Sequence, residues 1–160
     1  MGSTFKVMEV HPETHEELSG PYVAKAVTNE SVGQRAADAY ARIRGQTGGS
    51  YLAGVLEVAN TWRQNEITAL LRWIEGDPLI EWKGVLPLYL EELGEESPED
   101  LLLQWIQNLC TGLAQLHAVG LVHGDVSPKN IIVNGANIAL TDYDLSTATG
   151  SVPIGGTSNY

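Results

Sequence analysis

The chain has 160 residues, 43% of them hydrophobic and 18% charged, a composition typical of a globular domain and unlike that of disordered chains. Its 20 acidic residues against nine basic ones give a formal net charge of −11, which argues against nucleic-acid partners and against a patch for anionic membranes. Because no stretch approaches about 18 apolar residues and the N-terminus lacks a secretory pattern, we expect a cytoplasmic protein with no membrane partner.

The first elements along the chain are predicted to be two antiparallel strands. FKVMEV at 5–10 alternates apolar and polar residues, and PYVAKAV at 21–27 follows after a polar turn. Lys25 lies inside the second strand. Residues 28–56 are interpreted as an insertion that contains a short helix, SVGQRAADAYARIRG, ended by Gly45.

A helix that carries Glu66 is predicted from about Leu56 to Ile74, because the apolar residues of this segment fall close to helical spacing. These residues are Val58, Trp62, Ile67, Leu70, Leu71 and Ile74. EGDP at 75–78 is expected to end the helix. The next segments, LIEWKGV at 79–85 and LPLYLEEL at 86–93, are predicted to be two further strands.

The clearest helix signal begins at Ser97. This serine is a suitable N-cap, Pro98 takes the first helical position, and Gly120 fits the left-handed residue just past the end. We expect Cys110 and His117 to pack on the buried side of this helix as core residues. The predicted core-facing stripe consists of Leu102, Ile106, Leu109, Leu113 and Leu116.

After this helix, the polar run HGDVSPKN at 123–130 precedes two apolar strands joined by a tight turn at Asn134–Gly135. This hairpin places Asn130 opposite the end of the second strand, close to Asp142. Asp125, Asn130 and Asp142 are therefore expected to converge. Carboxylate and amide oxygens are suited to hold hard cations such as Mg²⁺ beside phosphate oxygens.

This set of residues resembles the active-site motifs of protein kinases. HGDVSPKN is similar to the catalytic loop H-R-D-x-x-x-x-N, DYD at 142–144 is similar to D-F-G, and GGTSNY at the end of the sequence is similar to G-T-x-x-Y. The resemblance implies that Asp125 is the catalytic base, that Asn130 and Asp142 bind Mg²⁺, and that His123 braces the loop.

The same resemblance assigns a nucleotide site. YVAKAV is similar to V-A-I-K, which places Lys25 at the α- and β-phosphates of ATP with Glu66 of helix αC as its ion-pair partner. GSTFKV from Gly2 resembles the end of a glycine-rich loop. Three residues resembling the family's hinge are expected to offer backbone groups to adenine: Glu91, Glu92 and Leu93. The implied cofactors are ATP and Mg²⁺.

Three positions depart from the family pattern. Gly124 stands in place of the Arg next to the catalytic Asp, so the chain resembles a non-RD kinase, an H-G-D variant of the bacterial serine/threonine type. Ser127 occupies the position of a Lys that touches the transferred phosphate, and Lys129 is the residue expected to replace it. Asp144 replaces the Gly of D-F-G, and we expect it to be a solvated turn residue rather than a third metal ligand.

The resemblance implies an α+β, protein kinase-like fold with a small β-rich N-lobe and the first part of a helical C-lobe. Residues 1–93 are expected to form the N-lobe, with helix αC, a partial glycine-rich loop and the insertion at 28–56. Residues 94–160 are expected to hold the long helix, the catalytic loop, the metal-binding hairpin and the start of the activation segment. We expect a domain truncated at both ends, as in a fragment, a split-gene product or a degenerate copy.

The leading interpretation is a fragment of a protein serine/threonine kinase domain that, when complete, transfers the γ-phosphoryl group of ATP to a protein hydroxyl. The piece by itself is expected to be inactive. Its expected partners are a protein substrate and either the missing C-lobe segment or a larger parent protein.

Two alternatives stay open. One is a pseudokinase that acts as a nucleotide-binding interaction module, suggested by the missing flanks and by Asp144. The other is a small-molecule kinase similar to the aminoglycoside phosphotransferases, which also carry H-G-D followed by Asn. GGTSNY speaks against the second alternative, because those enzymes lack G-T-x-x-Y.

Overall fold

The computed structural model describes residues 3–28, 31–44, 51–60, 66–92 and 97–151. The first half contains the elements β1 (Ser3–Val10), β2 (Glu17–Thr28), α1 (Ser31–Ile43), β3 (Val55–Asn60) and β4 (Glu66–Arg72). The second half contains β5 (Asp77–Pro78), a 3₁₀ turn (Leu79–Trp82), α2 (Leu86–Glu92), α3 (Pro98–Ala118), β6 (Leu121–Val122), a second 3₁₀ turn (Pro128–Asn130), β7 (Ile131–Asn134), β8 (Asn137–Leu140) and β9 (Thr147–Ala148). In the described ranges, no helix has the length and apolar character needed to cross a membrane.

The first half is an antiparallel sheet with strand order β1-β2-β4-β3, covered by α1. The two strands predicted at 5–10 and 21–27 are confirmed as β1 and β2. The short helix predicted after them is confirmed as α1, which packs against β2, β3 and β4. Its inner face belongs to the hydrophobic core through Ala36, Ala37, Ala39, Tyr40 and Ile43.

The helix predicted from Leu56 to Ile74 is wrong, because the described residues of this stretch lie mainly in β3 and β4. β4 lies between β2 and β3, with Ala69 and Leu71 buried and Leu70 between them half-buried. Apolar residues at 67, 69 and 71 follow the period of two that a strand needs, so the segment carries both patterns. Pairing with two neighbouring strands decides in favour of the sheet.

The strands predicted at 79–85 and 86–93 are also wrong, since these residues form the first 3₁₀ turn and α2. Pro87 lies in the first turn of α2, where its missing N–H costs no helical hydrogen bond, whereas the same residue would interrupt a strand ladder. β5 pairs with β7 of the second half. The link between the two halves is therefore the segment 72–76, earlier than the predicted boundary at 93/94.

α3 begins and ends as predicted. Ser97 accepts a hydrogen bond from the backbone N–H of Asp100 at 3.2 Å, and Gly120 follows the helix with a φ of +73°. The buried face is shifted from the predicted stripe, however, and consists of Leu101, Trp105, Asn108, Gly112 and Leu116.

Contacts with the β7–β8 hairpin explain this shift. Trp105 Nε1 donates to the Gly135 carbonyl oxygen at 3.0 Å, and Asn108 Nδ2 donates to the Ala136 carbonyl oxygen at 3.3 Å. The turn of the hairpin thus selects which helical face is covered. This choice depends on residues about 30 positions away and is invisible in the apolar spacing of the helix.

The opposite side of α3 faces solvent. Leu102 is 38% exposed and Ile106 is 56% exposed, although both belong to the predicted core stripe. Cys110 and His117 are exposed as well, so their prediction as core residues is wrong.

β7 and β8 form the predicted hairpin. Asn134 pairs with Asn137 across the turn, and Gly135 has a φ of +58°. The backbone N–H of Thr141 donates to the Asn130 carbonyl oxygen at 2.8 Å, which extends the ladder and confirms the predicted alignment of Asn130. This register leaves the residue after Thr141 at the mouth of the hairpin.

The register of α3 can be tested with two neighbouring substitutions. Trp105→Ala removes a buried indole and is expected to lower the free energy of unfolding by about 4 kcal/mol. Ile106→Ala removes an exposed side chain and is expected to change it by less than about 1 kcal/mol. Urea unfolding followed by circular dichroism measures both, and a larger effect for Ile106→Ala would restore the stripe predicted from the sequence.

Candidate functional site

A cavity of about 350 Å³ lies between the sheet and the β7–β8 hairpin. Val23 of β2 and Leu71 of β4 contribute to its apolar wall, together with Ile74 of the linking segment. The polar side is formed by Lys25, Lys129, Asn130, Thr141 and Asp142. Residues singled out in the sequence from both halves of the chain therefore meet at one cavity.

The loop before the hairpin holds Asp125, Lys129 and Asn130 in contact with one another. Asn130 Nδ2 donates to the backbone oxygen of Asp125 at 2.9 Å and to its Oδ2 at 3.0 Å. Lys129 Nζ lies 3.0 Å from the same Oδ2. Asp125 and Asn130 are buried, whereas Lys129 reaches them from an exposed position on the second 3₁₀ turn. These contacts fix the orientation of the Asp125 carboxylate.

His123 braces this loop, as the sequence predicted. Its Nε2 donates to the Thr141 carbonyl oxygen at 2.9 Å, which leaves Nδ1 to accept from the backbone N–H of Asp125 at 3.2 Å. Burial lowers the pKa of His123 below its usual value. The ring is therefore kept in the neutral form that this pair of hydrogen bonds requires.

Lys25 and Asp142 form an ion pair at the polar side of the cavity, with 2.6 Å between Nζ and Oδ1. The Lys25 side chain is 9% exposed and the Asp142 side chain 41% exposed. Asp142 has a φ of +64°, in the left-handed region that residues other than glycine rarely adopt. Such backbone conformations concentrate at active sites, where the surrounding contacts hold them in place.

Asp144 is also part of this cluster, so its prediction as a solvated turn residue is wrong. Its Oδ2 lies 3.0 Å from Lys25 Nζ, and its Oδ1 accepts a hydrogen bond from the Tyr40 hydroxyl at 2.9 Å. Tyr40 comes from α1 and is fully buried. A strand, a helix and the loop after the hairpin therefore meet through three polar side chains.

Comparisons with known proteins point to the protein kinases. Residues 79–152 match the model of a family described as protein tyrosine and serine/threonine kinase. These matches support the protein kinase superfamily. The antiparallel sheet with its helix, followed by α3 and the hairpin, fits a protein kinase-like α+β fold.

Curated protein kinases also match parts of the chain. A serine/threonine-protein kinase of Corynebacterium efficiens is 30% identical over 102 residues, which is 61% of this chain and 18% of that protein. The kinase PknA of Corynebacterium glutamicum is 33% identical over 58 residues, 36% of this chain and 12% of that protein. The interferon-induced, double-stranded RNA-activated protein kinase of Rattus norvegicus is 38% identical over 69 residues, 41% of this chain and 13% of that protein. The chain thus matches less than a fifth of the length of each relative.

Protein kinases use ATP with Mg²⁺, and the oxygen donors at this site fit the cation. Asn130 and Asp142 line the same cavity and offer an amide oxygen and a carboxylate. Mg²⁺ prefers oxygen ligands and is commonly held by one or two protein groups together with water and substrate phosphates. Among the described residues, no group of three or more His, Cys, Asp or Glu side chains is arranged to hold a metal ion. A site of one amide and one carboxylate is consistent with that finding.

The other predicted site residues lie elsewhere. Glu66 begins β4, and its backbone pairs with Thr28. The Glu66–Lys25 ion pair stays a prediction, but the helix on which it was based is absent. Glu91 and Glu92 are exposed residues of α2, so the hinge predicted at these two residues is wrong. Gly2, Leu93 and GGTSNY lie outside the described residues.

The sequence interpretation missed two contributions to the cavity, Tyr40 and the segment 72–76. The amphipathic pattern of α1 was visible, yet nothing local indicated that a tyrosine would reach a residue 104 positions away. The link at 72–76 was hidden by the helical interpretation of β4. Its sequence signal is the turn EGDP at 75–78, which follows directly after a strand.

The backbone gives a physical reason for Gly124. This residue has a φ of +83°, and a Cβ added to it would lie 2.4 Å from the Leu145 carbonyl oxygen. Residues other than glycine are strained at this φ, and the contact is too short for any side chain. Close packing of the loop against the residues after Asp142 therefore requires glycine here.

Gly124→Ala is expected to lower the free energy of unfolding by about 3 kcal/mol, because strain and overlap with a backbone oxygen add together. Gly135→Ala is a matched control, since Gly135 also has a positive φ but has no atom within 4 Å of an added Cβ. It is expected to cost only about 1 kcal/mol. Chemical denaturation measures both variants, and equal losses would show that the approach of Leu145 is unimportant.

Proposed function

We propose that the chain carries the ATP- and Mg²⁺-binding part of a protein serine/threonine kinase of the non-RD type, which transfers the γ-phosphoryl group of ATP to a protein hydroxyl. The observation that supports it most is the meeting of Lys25, Asp142 and Asn130 at one cavity. Asp125 lies next to it and is bonded to both Asn130 and Lys129. The relatives described above are protein kinases, which supports a protein substrate, and two of them come from bacteria.

In this proposal the phosphates of ATP lie at the polar side of the cavity. Lys25 binds phosphate oxygens, while Asp142 and Asn130 hold Mg²⁺. The bound cation supplies neutralisation of the negative charge on the phosphate oxygens. The chain supplies rigid positions for the groups around it, since the His123 bonds and the hairpin register fix the loop on both sides.

Asp125 is proposed to accept the proton of the attacking hydroxyl. Its carboxylate is buried and held by Asn130 at 3.0 Å, so it has a defined orientation before substrate binds. Lys129 Nζ lies at the same carboxylate and places a positive charge where negative charge develops on the transferred group. This is the role expected for Lys129 because Ser127 stands at the position of the family's Lys.

The apolar part of the cavity is proposed to hold adenine. Val23, Leu71 and Ile74 offer apolar contacts for a purine ring, and the segment 72–76 runs along the same wall. A cavity of about 350 Å³ falls in the range of roughly 300–1,000 Å³ typical of small-molecule sites. The adenine contacts assigned to 91–93 from the sequence are thereby transferred to the segment 72–76.

One observation favours a second candidate, a nucleotide-binding module without turnover. Two carboxylates already hold Lys25 Nζ, at 2.6 Å from Asp142 and 3.0 Å from Asp144. A phosphate group that binds Lys25 has to displace these carboxylates, or a bound cation has to neutralise their charge. The two candidates share the ATP site and differ in phosphate transfer.

Calorimetric titration with ATP and Mg²⁺, combined with transfer of labelled phosphate to a Ser- and Thr-rich protein, tests the proposal. Asp142→Asn is expected to weaken binding more than about tenfold, since a metal ligand loses its charge. Asp125→Asn is expected to bind ATP within about threefold of wild type, and in a complete kinase domain that carries this chain it is expected to transfer phosphate about 10³-fold more slowly. Asp38→Asn changes an exposed carboxylate of α1 and is expected to alter neither property.

Binding of ATP to the chain, with no phosphate transfer by the complete domain that carries it, would support the second candidate. Failure of the wild-type chain to bind ATP in the presence of Mg²⁺ would contradict both. Unchanged transfer in Asp125→Asn would rule out its role as the base.

A further inference from the structure

The two aspartates of DYD use their oxygens differently. Both hydrogen bonds of Asp142 go to Oδ1, one from Lys25 Nζ at 2.6 Å and one from the backbone N–H of Asp144 at 3.3 Å. Oδ2 of Asp142 accepts no hydrogen bond from the described residues, and its side chain is 41% exposed and lines the cavity. Asp142 therefore keeps one oxygen available to a ligand.

Asp144 has a separate partner for each oxygen. Oδ1 accepts from the Tyr40 hydroxyl at 2.9 Å, and Oδ2 lies 3.0 Å from Lys25 Nζ. Its side chain is 28% exposed, less than that of Asp142. With one donor at each oxygen, Asp144 has less free acceptor capacity for a cation than Asp142, whose Oδ2 has no donor among the described residues.

The surroundings of Tyr40 favour its hydrogen bond to Asp144. Its side chain is fully buried, and its ring packs edge-on against Tyr143 with 5.6 Å between centroids. Burial and then the charge of Asp144 raise the pKa of Tyr40 well above its usual value, so the hydroxyl stays a protonated donor. A hydrogen bond to a charged acceptor in a buried position is stronger than one between neutral groups.

We propose that Asp144 and Tyr40 are positioning residues that hold Lys25 Nζ from the side of α1, so that Asp142 can turn its free oxygen toward the metal and the phosphates. The identity of that ligand rests on the function proposed above. When Asp142 engages a cation, Lys25 keeps one carboxylate partner in Asp144 and remains in place. α1 is thereby coupled to the phosphate site through a tyrosine hydroxyl.

This arrangement gives α1 a role at the phosphate site although the helix contains no glutamate that could pair with Lys25. The acidic residue of α1 is Asp38, an exposed side chain that accepts a hydrogen bond from Gln34. The anionic partners of Lys25, Asp142 and Asp144, come instead from the loop after the hairpin. Beside the packing of α1 on the sheet, Tyr40 and the Asp144 carboxylate therefore link α1 to the Lys25 ammonium group.

The proposal is tested by comparing two probes, ATP with Mg²⁺ and adenosine, in calorimetric titrations of the whole 160-residue chain. Tyr40→Phe and Asp144→Asn are each expected to lower the affinity for ATP with Mg²⁺ about tenfold and to leave that for adenosine within about twofold. Tyr22→Phe is the matched control, because its hydroxyl bonds a neutral serine, Ser19, on the same strand as Lys25. It is expected to change neither affinity.

Equal losses for both probes would mean that the two residues serve only general stability and would overturn the proposal. A loss of ATP affinity in Asp144→Asn with none in Tyr40→Phe would identify Asp144 as a metal ligand and would overturn it too. Wild-type affinity for ATP with Mg²⁺ in both variants would also overturn the proposal.

If the wild-type chain binds neither probe, the proposed function is contradicted. A second measurement, which needs no ligand, then still tests the contact between Tyr40 and Asp144. Thermal unfolding of the ligand-free chain is expected to show a Tm lowered by roughly 4 °C in Tyr40→Phe and in Asp144→Asn. The double variant is expected to lose clearly less than the two losses combined, because both act on one contact. Additive losses would show that the hydroxyl and the carboxylate are not coupled.

Discussion

The buried ammonium group of Lys25 is the interaction on which the rest of the site depends. A charge that is removed from water must be paired, and Lys25 finds its partners 117 residues along the chain, at Asp142, and in Asp144 just beyond. This requirement ties the strand β2 to the loop after the hairpin and brings Tyr40 of α1 with it. The sheet and the hairpin therefore form one cavity rather than two unrelated surfaces.

The geometry on the hairpin side follows from backbone constraints. Gly124 permits the loop to approach Leu145, His123 joins the loop to the end of β8, and Asp142 adopts a left-handed conformation. Each constraint orients a side chain to which the proposed phosphoryl transfer assigns a role, so the loop has a defined conformation without a ligand. Catalysis of this kind depends mostly on positioning and charge, which such a preorganised loop provides.

Features with a local cause could be predicted from the sequence. The ends of α3 follow from Ser97 and Gly120, the hairpin follows from its tight turn, and the contact between Asp125 and Asn130 follows from their spacing in one loop. Features decided by contacts between residues far apart in the chain could not be predicted from the sequence. The covered face of α3 depends on carbonyl groups of the hairpin turn, and β4 became a strand because it has neighbours on both sides. The contact between Tyr40 and Asp144 has no local signal at all.

Mn²⁺ bound with ATP provides the most direct measurement of the central claim, because the paramagnetic ion broadens the NMR signals of nearby amides. The account predicts that broadening centres on the amides of Asn130 and Asp142 and extends to Lys25, since these residues surround the proposed metal and phosphate position. Broadening centred elsewhere, or no broadening when ATP and Mn²⁺ are added together, would contradict it.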